Sequence, residues 1–225
     1  MVDTLRVEKM PAPLRQRVVD NLRGAITGGR FRAGDRLVER ELCDAIGVSR
    51  TLIREALRQL EAEGLVSVLP NKGPIVALMT AEEARGLYQV RAVLEGLASR
   101  LFIDTATEKQ KAQLRQAFNR LTVACEADNF LEASAAKNDF YVTMFSGSGN
   151  ETLLLQLNQL FARTSILRSM TLNYPNRLAQ SAKEIEKIFQ AVMSGDKEAA
   201  WNASVAHVES AAAILMKIMK AREDS

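Results

Sequence analysis

Apolar residues recur at helical spacing along most of the chain. The first stripe repeats every four positions and consists of Leu14, Val18, Leu22 and Ile26. This spacing predicts a helix over residues 13–27. A short strand should follow, and then two helices at 38–46 and 50–63. Two β-prone runs, 65–69 and 74–78, flank a Pro-Asn-Lys-Gly turn and predict a hairpin.

The second part of the chain has the pattern of a helical bundle. After Pro74 there is no proline until Pro175, and glycines are sparse. The predicted helices lie at 80–104, 107–126, 129–146, 150–171, 178–194 and 197–221. Thr80 and Glu83 form a capping-box sequence at the start of the first of them. Helices of this length, joined by short loops, favour an antiparallel bundle.

The predicted fold class is therefore mainly α, in two domains. Residues 1–78 should form a winged helix-turn-helix of three helices with a β-hairpin wing. Residues 79–225 should form an all-α bundle of six or seven helices. The whole excess of positive charge lies in residues 1–78, which hold 13 Lys and Arg against 10 Asp and Glu. That imbalance is a mild indication of a nucleic-acid partner.

Several classes of protein are disfavoured by composition. The sequence has no apolar run long enough to span a membrane and no signal-peptide pattern, so we expect a cytoplasmic protein. Two cysteines without a CxxC spacing support neither a disulfide framework nor a zinc site. With one histidine and no HExxH, GxSxG or phosphate-binding glycine loop, we expect no catalytic residues and no enzyme.

The helix over residues 50–63 has one apolar and one basic side. Ser49 is a suitable N-cap, and Ile53, Leu57 and Leu60 make an inward stripe. The opposite side carries Arg50, Thr51, Arg54 and Arg58. Guanidinium groups one turn apart at the start of a recognition helix can contact guanine edges or phosphates in the major groove. The alternative is a solvated helix face, with Glu55 and 61–63 pairing with the arginines.

Residues 22–77, LRGAITGGRFRAGDRLVERELCDAIGVSRTLIREALRQLEAEGLVSVLPNKGPIVA, resemble the GntR family of bacterial transcription factors. The resemblance implies binding to double-stranded DNA. The positions that contact the operator in that family correspond here to Arg40, Arg50, Thr51, Arg54, Asn71, Lys72 and Gly73. The sequence departs from the family at Leu52, where proline is common, and at Val38, where a Ser-type cap is common. Neither change removes a group that could contact a base.

Three segments of the second part resemble the FCD domain of the FadR subfamily: YQVRAVLEGLASRL at 88–101, FSGSGN at 145–150 and AVMSGDKEAAWNASVAH at 191–207. The resemblance implies a helical bundle around a pocket, a homodimer that binds a short inverted repeat, and a small organic-acid effector.

Many FCD domains hold a divalent metal with one Asp and three His. Counting along the motifs places these four positions at Lys137, Tyr141, Ile185 and His207, so only the last ligand is present. One imidazole without a second ligand does not make a transition-metal site. We therefore expect no metal and no other cofactor.

The replaced ligands suggest how an anion could be bound without a metal. Lys137 and Tyr141 lie one turn apart, so the ammonium group could occupy the place of the cation while the phenol donates a hydrogen bond. His207 could assist, and Arg91 is a further candidate for binding a carboxylate. The open alternatives are that Lys137 is solvated beside Glu132, Asp139 or another acid, and that Arg91 pairs with Glu95. Tyr141 would then be ordinary core, and His207 a buried histidine whose hydrogen bonds are satisfied.

The function predicted from the sequence is a DNA-binding transcriptional regulator, in the usual family mode a repressor, whose operator affinity responds to a small carboxylate. The competing hypothesis is a DNA-binding protein without an effector, in which the second domain serves only for dimerisation.

Overall fold

The computed structural model describes residues 12–172, 174 and 177–223. Within that part of the chain there are nine helices and one two-stranded hairpin, which confirms the predicted fold class. The chain divides into two compact units between Leu78 and Met79. None of these helices combines the length and the hydrophobicity that a membrane span requires.

The first unit consists of three helices and the hairpin. Its elements are α1 (Ala12–Thr27), α2 (Glu39–Ile46), α3 (Arg50–Ala62), β1 (Val66–Leu69) and β2 (Gly73–Val76). The two strands are antiparallel, with Val66 opposite Val76 and Leu69 opposite Gly73. The strand predicted between α1 and α2 is reduced to one bridge, between Arg36 and Ile75 on the free edge of β2.

The core of this unit is built by the apolar faces of α1 and α3. Ile53, Leu57 and Leu60 are buried, as predicted, together with Ala56. The α1 stripe is correct from its second residue onward, and Val19 joins it. The prediction that Leu14 belongs to the buried stripe is wrong, because its side chain lies in the first turn of α1 and is 51% exposed.

The turn between α2 and α3 follows from local sequence. Gly47 ends α2 with φ of 75°, a left-handed conformation that favours glycine. Ser49 Oγ accepts a hydrogen bond from the Leu52 amide at 3.4 Å, which confirms the predicted cap of α3. Val38, at the N-cap of α2, makes no side-chain cap.

The second unit consists of six helices. They are α4 (Ala81–Thr105), α5 (Glu108–Glu126), α6 (Phe130–Ser146), α7 (Glu151–Leu172), α8 (Arg177–Ser194) and α9 (Lys197–Glu223). Their ends fall within two residues of the predictions. The capping box of Thr80 and Glu83 is present, and Thr107 makes a second one with Gln110.

Helices α4 and α9 pack against each other in antiparallel register. The Lys197 ammonium pairs with the Asp104 carboxylate at 2.7 Å. Eight residues earlier on α4, Gly96 faces the Trp201 ring so closely that a Cβ there would lie 2.9 Å from it. The same register, continued along both helices, brings the segment around 95 level with 204 and the segment around 91 level with 207.

Candidate DNA-binding surface and buried ligand site

The basic side of α3 is exposed over its first two turns. Arg50, Thr51 and Arg54 all face solvent, while the apolar stripe on the opposite side is buried. Because the buried stripe fixes the rotation of α3, these side chains are presented outward on a rigid element. That is the arrangement in which a recognition helix enters a major groove.

Arg54 is held by a residue that the sequence pattern did not single out. Its Nε donates to both carboxylate oxygens of Glu39, at 2.9 and 2.8 Å, across the turn between α2 and α3. Neither Glu55 nor Glu61 is its partner, and Glu63 accepts two hydrogen bonds from Arg23 of α1. Glu39 thus restricts where the Arg54 guanidinium can point.

Two shallow grooves lie beside α3 and share Glu39 and Pro74. Arg40 and Arg50 line one of them together with Arg36, which was not among the predicted contacts. The available signal for Arg36 was its place in the short strand predicted between the first two helices, and the bridge to Ile75 of β2 fixes its backbone. Three guanidinium groups around one groove provide a surface for phosphate.

The tip of the hairpin carries the other predicted contacts. Asn71 and Lys72 are exposed, and Asn71 adopts a left-handed conformation with φ of 64°. Gly73 follows with φ of 77°, which turns the chain into β2. These residues line neither groove, so they form a separate part of the surface.

The four candidates for effector binding come together inside the second unit. Arg91 of α4, Tyr141 of α6 and His207 of α9 are buried, and Lys137 lies half-buried one turn before Tyr141. The Tyr141 and His207 rings stack with their centroids 6.1 Å apart. The positive charges of Lys137 and Arg91 both act on the His207 imidazole.

His207 is oriented by a carboxylate that was not among the predicted site residues. Its Nδ1 lies 2.6 Å from Glu184 Oε2. Arg177 and Ser210 donate to the same carboxylate, at 2.9 and 2.6 Å. Counting along the family motif pointed at Ile185, the neighbouring residue. The available signal was an acidic residue on α8 about one turn after Ser181 and two turns after Arg177, the two polar residues of the buried α8 stripe.

The protonation states of this pair follow from its surroundings. Burial, together with the charge of Lys137, lowers the pKa of the His207 imidazole to about 3, although contact with Glu184 opposes the change. Burial alone would raise the pKa of Glu184, but hydrogen bonds from His207 and Ser210 hold it at about 2. At neutral pH the site therefore holds a neutral imidazole and an ionised carboxylate.

Arg91 lies in an aromatic and acidic environment. It pairs with Glu95 one turn further along α4, which was one of the alternatives open from the sequence. Its guanidinium carbon lies 5.3 Å from the ring centroid of Tyr88 and 4.9 Å from that of Phe161. Lys137 Nζ donates to Ser181 Oγ at 2.6 Å. The two acids suggested as neighbours of Lys137 pair instead with Arg120.

Buried polar atoms at this place include some without a hydrogen-bond partner in the described part of the chain. They are Glu95 Oε2, Ser204 Oγ and His207 Nε2, in side chains that are at most 1% exposed. Buried polar groups are normally hydrogen-bonded, so such atoms on two facing helices need an explanation. A small polar ligand that binds between α4 and α9 would supply the missing partners.

The residues at this site do not fit a divalent metal. The one imidazole has its Nδ1 on Glu184, and two cationic side chains lie close enough to influence its pKa. Over residues 12–172, 174 and 177–223, no group of three or more His, Cys, Asp or Glu side chains could hold a metal ion. The chemistry of the site is that of charged and hydrogen-bonding side chains.

Comparison with known proteins gives the same picture for both units. Residues 14–76 match the bacterial regulatory proteins of the gntR family, and residues 86–210 match the FCD domain. The HTH-type transcriptional regulator YdhC of Bacillus subtilis (strain 168) is 29% identical over 212 residues, which cover 92% of each chain. The Nta operon transcriptional regulator of Aminobacter aminovorans is 34% identical over 143 residues, 61% of this chain and 65% of that protein.

The fold is shared with solved structures. E. coli McbR/YncC superposes with a TM-score of 0.79 at 22% identity, and the match covers 91% of this chain and 97% of that one. The helix-turn-helix with its hairpin lies within the gntR match, and the helical bundle contains the FCD match. The chain therefore belongs to the GntR family of bacterial regulatory proteins, with an FCD domain after its helix-turn-helix, and is a transcriptional regulator.

Proposed function

We propose that this regulator binds operator DNA as a homodimer and that a small carboxylate, bound inside the helical unit, changes its affinity for the operator. The observation that carries the proposal is the meeting of Arg91, Lys137, Tyr141 and His207 in the interior of that unit. Arg91 and Lys137 are cationic and lie beside buried polar atoms that have no hydrogen-bond partner among the described residues, so the site favours an anionic ligand that forms hydrogen bonds.

The DNA-binding half of the proposal assigns roles by position. Arg50, Thr51 and Arg54 contact base edges or phosphates in the major groove, and Arg40 contacts the backbone. The hairpin tip, Asn71 to Gly73, follows the adjacent minor groove. A homodimer presents two such surfaces to a short inverted repeat.

Burial of the site gives a physical reason for coupling. Arg91, Tyr141 and His207 are each no more than 4% exposed, so a ligand reaches them only if packed helices move apart. A ligand that binds the opened arrangement shifts the population of the unit towards it. If that arrangement also differs in affinity for the operator, the two binding events are linked, typically by about 5–150-fold.

The test measures operator binding with and without organic acids. The operator is first selected from fragmented genomic DNA with the purified full-length protein, and its dissociation constant is then measured by fluorescence anisotropy at fixed salt. We expect at least one small carboxylate to change this constant about fivefold or more, and DNA to change the affinity for that carboxylate by the same factor.

Lys137→Met removes the ammonium and keeps most of the side-chain volume. It should weaken the carboxylate at least tenfold and leave operator affinity without ligand unchanged. Lys183→Met, on the exposed face of α8, removes the same charge elsewhere in the unit and is the matched control. If no acid alters operator binding, the proposal of a carboxylate effector fails.

A further inference from the structure

The hydrogen-bonding groups of the buried site select for more than a negative charge. His207 Nδ1 lies on a carboxylate that also accepts from Arg177 and Ser210, so Glu184 is an acceptor and Nδ1 carries the ring proton. The other nitrogen, Nε2, is therefore an acceptor. It is buried and has no partner among the residues described.

A second acceptor lies on the facing helix. One oxygen of the Glu95 carboxylate is paired with Arg91, and the other, Oε2, has no partner in the described chain although the residue is fully buried. The antiparallel register, fixed by the Lys197 to Asp104 pair and by Gly96 against Trp201, brings the α4 turn of Arg91 and Glu95 level with the α9 turn of Ser204 and His207. The site thus presents two unfilled acceptors, and an acceptor needs a donor.

Different anionic ligands meet this requirement differently. A simple carboxylate has acceptors only and would leave both protein acceptors unfilled. An amino acid has donors on its ammonium but carries no net charge, whereas the three cations Arg91, Lys137 and Arg177 stand against only the two carboxylates Glu95 and Glu184 of the described chain, so the site favours a ligand with a net negative charge. A hydroxyl donates without adding charge.

Building on the proposed function, we infer that the effector is a hydroxy carboxylate, whose hydroxyl donates to His207 Nε2 while its carboxylate faces Lys137. The hydroxyl of Ser204, one turn before His207, can both donate to and accept from the same ligand. Glu95 Oε2 provides the place for a second hydroxyl.

The test uses acids that share a carbon skeleton. Calorimetry with the full-length protein compares 2-hydroxypropanoate with propanoate and alanine, malate with succinate and aspartate, and gluconate with hexanoate. We expect the tightest binder to be a hydroxy acid, with its partner without the hydroxyl at least about tenfold weaker, because an unfilled buried acceptor is costly. If the deoxy acid or the amino acid binds as tightly, the inference is overturned while a carboxylate effector stands. If none of them binds, the proposed function fails with it.

Two further measurements locate the preference. His207→Phe should bring the affinity ratio of hydroxy to deoxy acid close to one, whereas Ser99→Ala, at a buried hydroxyl already bonded to the Gly96 carbonyl, should keep it. His207 is the chain's only histidine, so ring-nitrogen NMR of the wild-type protein gives a single pair of signals. The hydroxy acid should shift the signal of Nε2, and a protonated Nε2 in the free protein would refute the assignment.

Discussion

The neutral, buried His207 predicts a specific loss of stability on mild acidification. Its pKa in the folded protein is about 3, against an ordinary value of 6.5 that applies when the chain is unfolded. Because the folded-state value is the lower one, the unfolded chain binds the extra proton between these limits. Stability is therefore greatest above pH 6.5 and falls as the pH decreases towards the folded-state value.

The size of the effect hardly depends on the exact pKa in the folded state. For any folded-state pKa well below 5, protonation of the unfolded chain alone lowers the free energy of unfolding by about 2 kcal/mol between pH 7 and pH 5. Because the sequence contains a single histidine, no second imidazole titrates in this range. The few carboxylates that begin to protonate near pH 5 are common to any matched variant.

Urea unfolding at a series of pH values measures this directly. Trp201, the only tryptophan, lies on α9 against Gly96 and reports on the helical unit. His207→Asn, which cannot titrate, is the control and should lose about 2 kcal/mol less than the wild type over the same range, at equal protein concentration. An identical pH dependence in both proteins would show that His207 has the same pKa in the folded and the unfolded protein, as an accessible imidazole does, and would contradict the description of the site.

Three further predictions concern other parts of the molecule. Arg36→Ala should make the logarithmic salt dependence of operator binding shallower by about one unit, and an unchanged slope would remove Arg36 from the phosphate contacts. Val38→Thr should supply the missing cap of α2 and raise the free energy of unfolding of the first unit by about 0.5–1 kcal/mol in urea titrations followed by circular dichroism. Glu184→Gln should leave the buried Arg177 guanidinium without its counter-charge and destabilise the helical unit by about 3–5 kcal/mol, so a loss below about 1 kcal/mol would mean that Arg177 reaches solvent.

The features predictable from sequence are those that local chemistry decides. The rotation of α3 follows from its apolar stripe, and its start follows from the Ser49 cap, so the exposed position of Arg50 and Arg54 follows from the order of the residues alone. The bounds of the helices in the second unit can be predicted equally well, because capping residues and glycines mark their ends. Leu14 shows the limit of this reasoning. Apolar spacing places it on the buried face of α1, but it does not show that the packing ends before the first turn of the helix.

Contacts between helices distant in sequence were not predictable in the same way. The Glu39 to Arg54 pair depends on how α2 crosses α3, and the Glu184 to His207 pair depends on how α8 packs against α9. Periodicity gives the face on which each residue lies but not the register between helices. The family motif came within one residue of Glu184, and only the packed structure shows that a carboxylate, not Ile185, contacts His207.

Recognition of DNA by the basic side of α3 is tested most directly by paired charge removals in the first unit. Arg50→Ala with Arg54→Ala, and separately Arg30→Ala with Arg32→Ala, each remove two exposed arginines, so both variants have the same net charge. Anisotropy titrations should compare the selected operator with a scrambled duplex at one salt concentration. We predict that the first variant loses about 2–6 kcal/mol of its preference for the operator, while the second keeps the preference. An equal loss in both variants, or none in the first, would contradict recognition by α3.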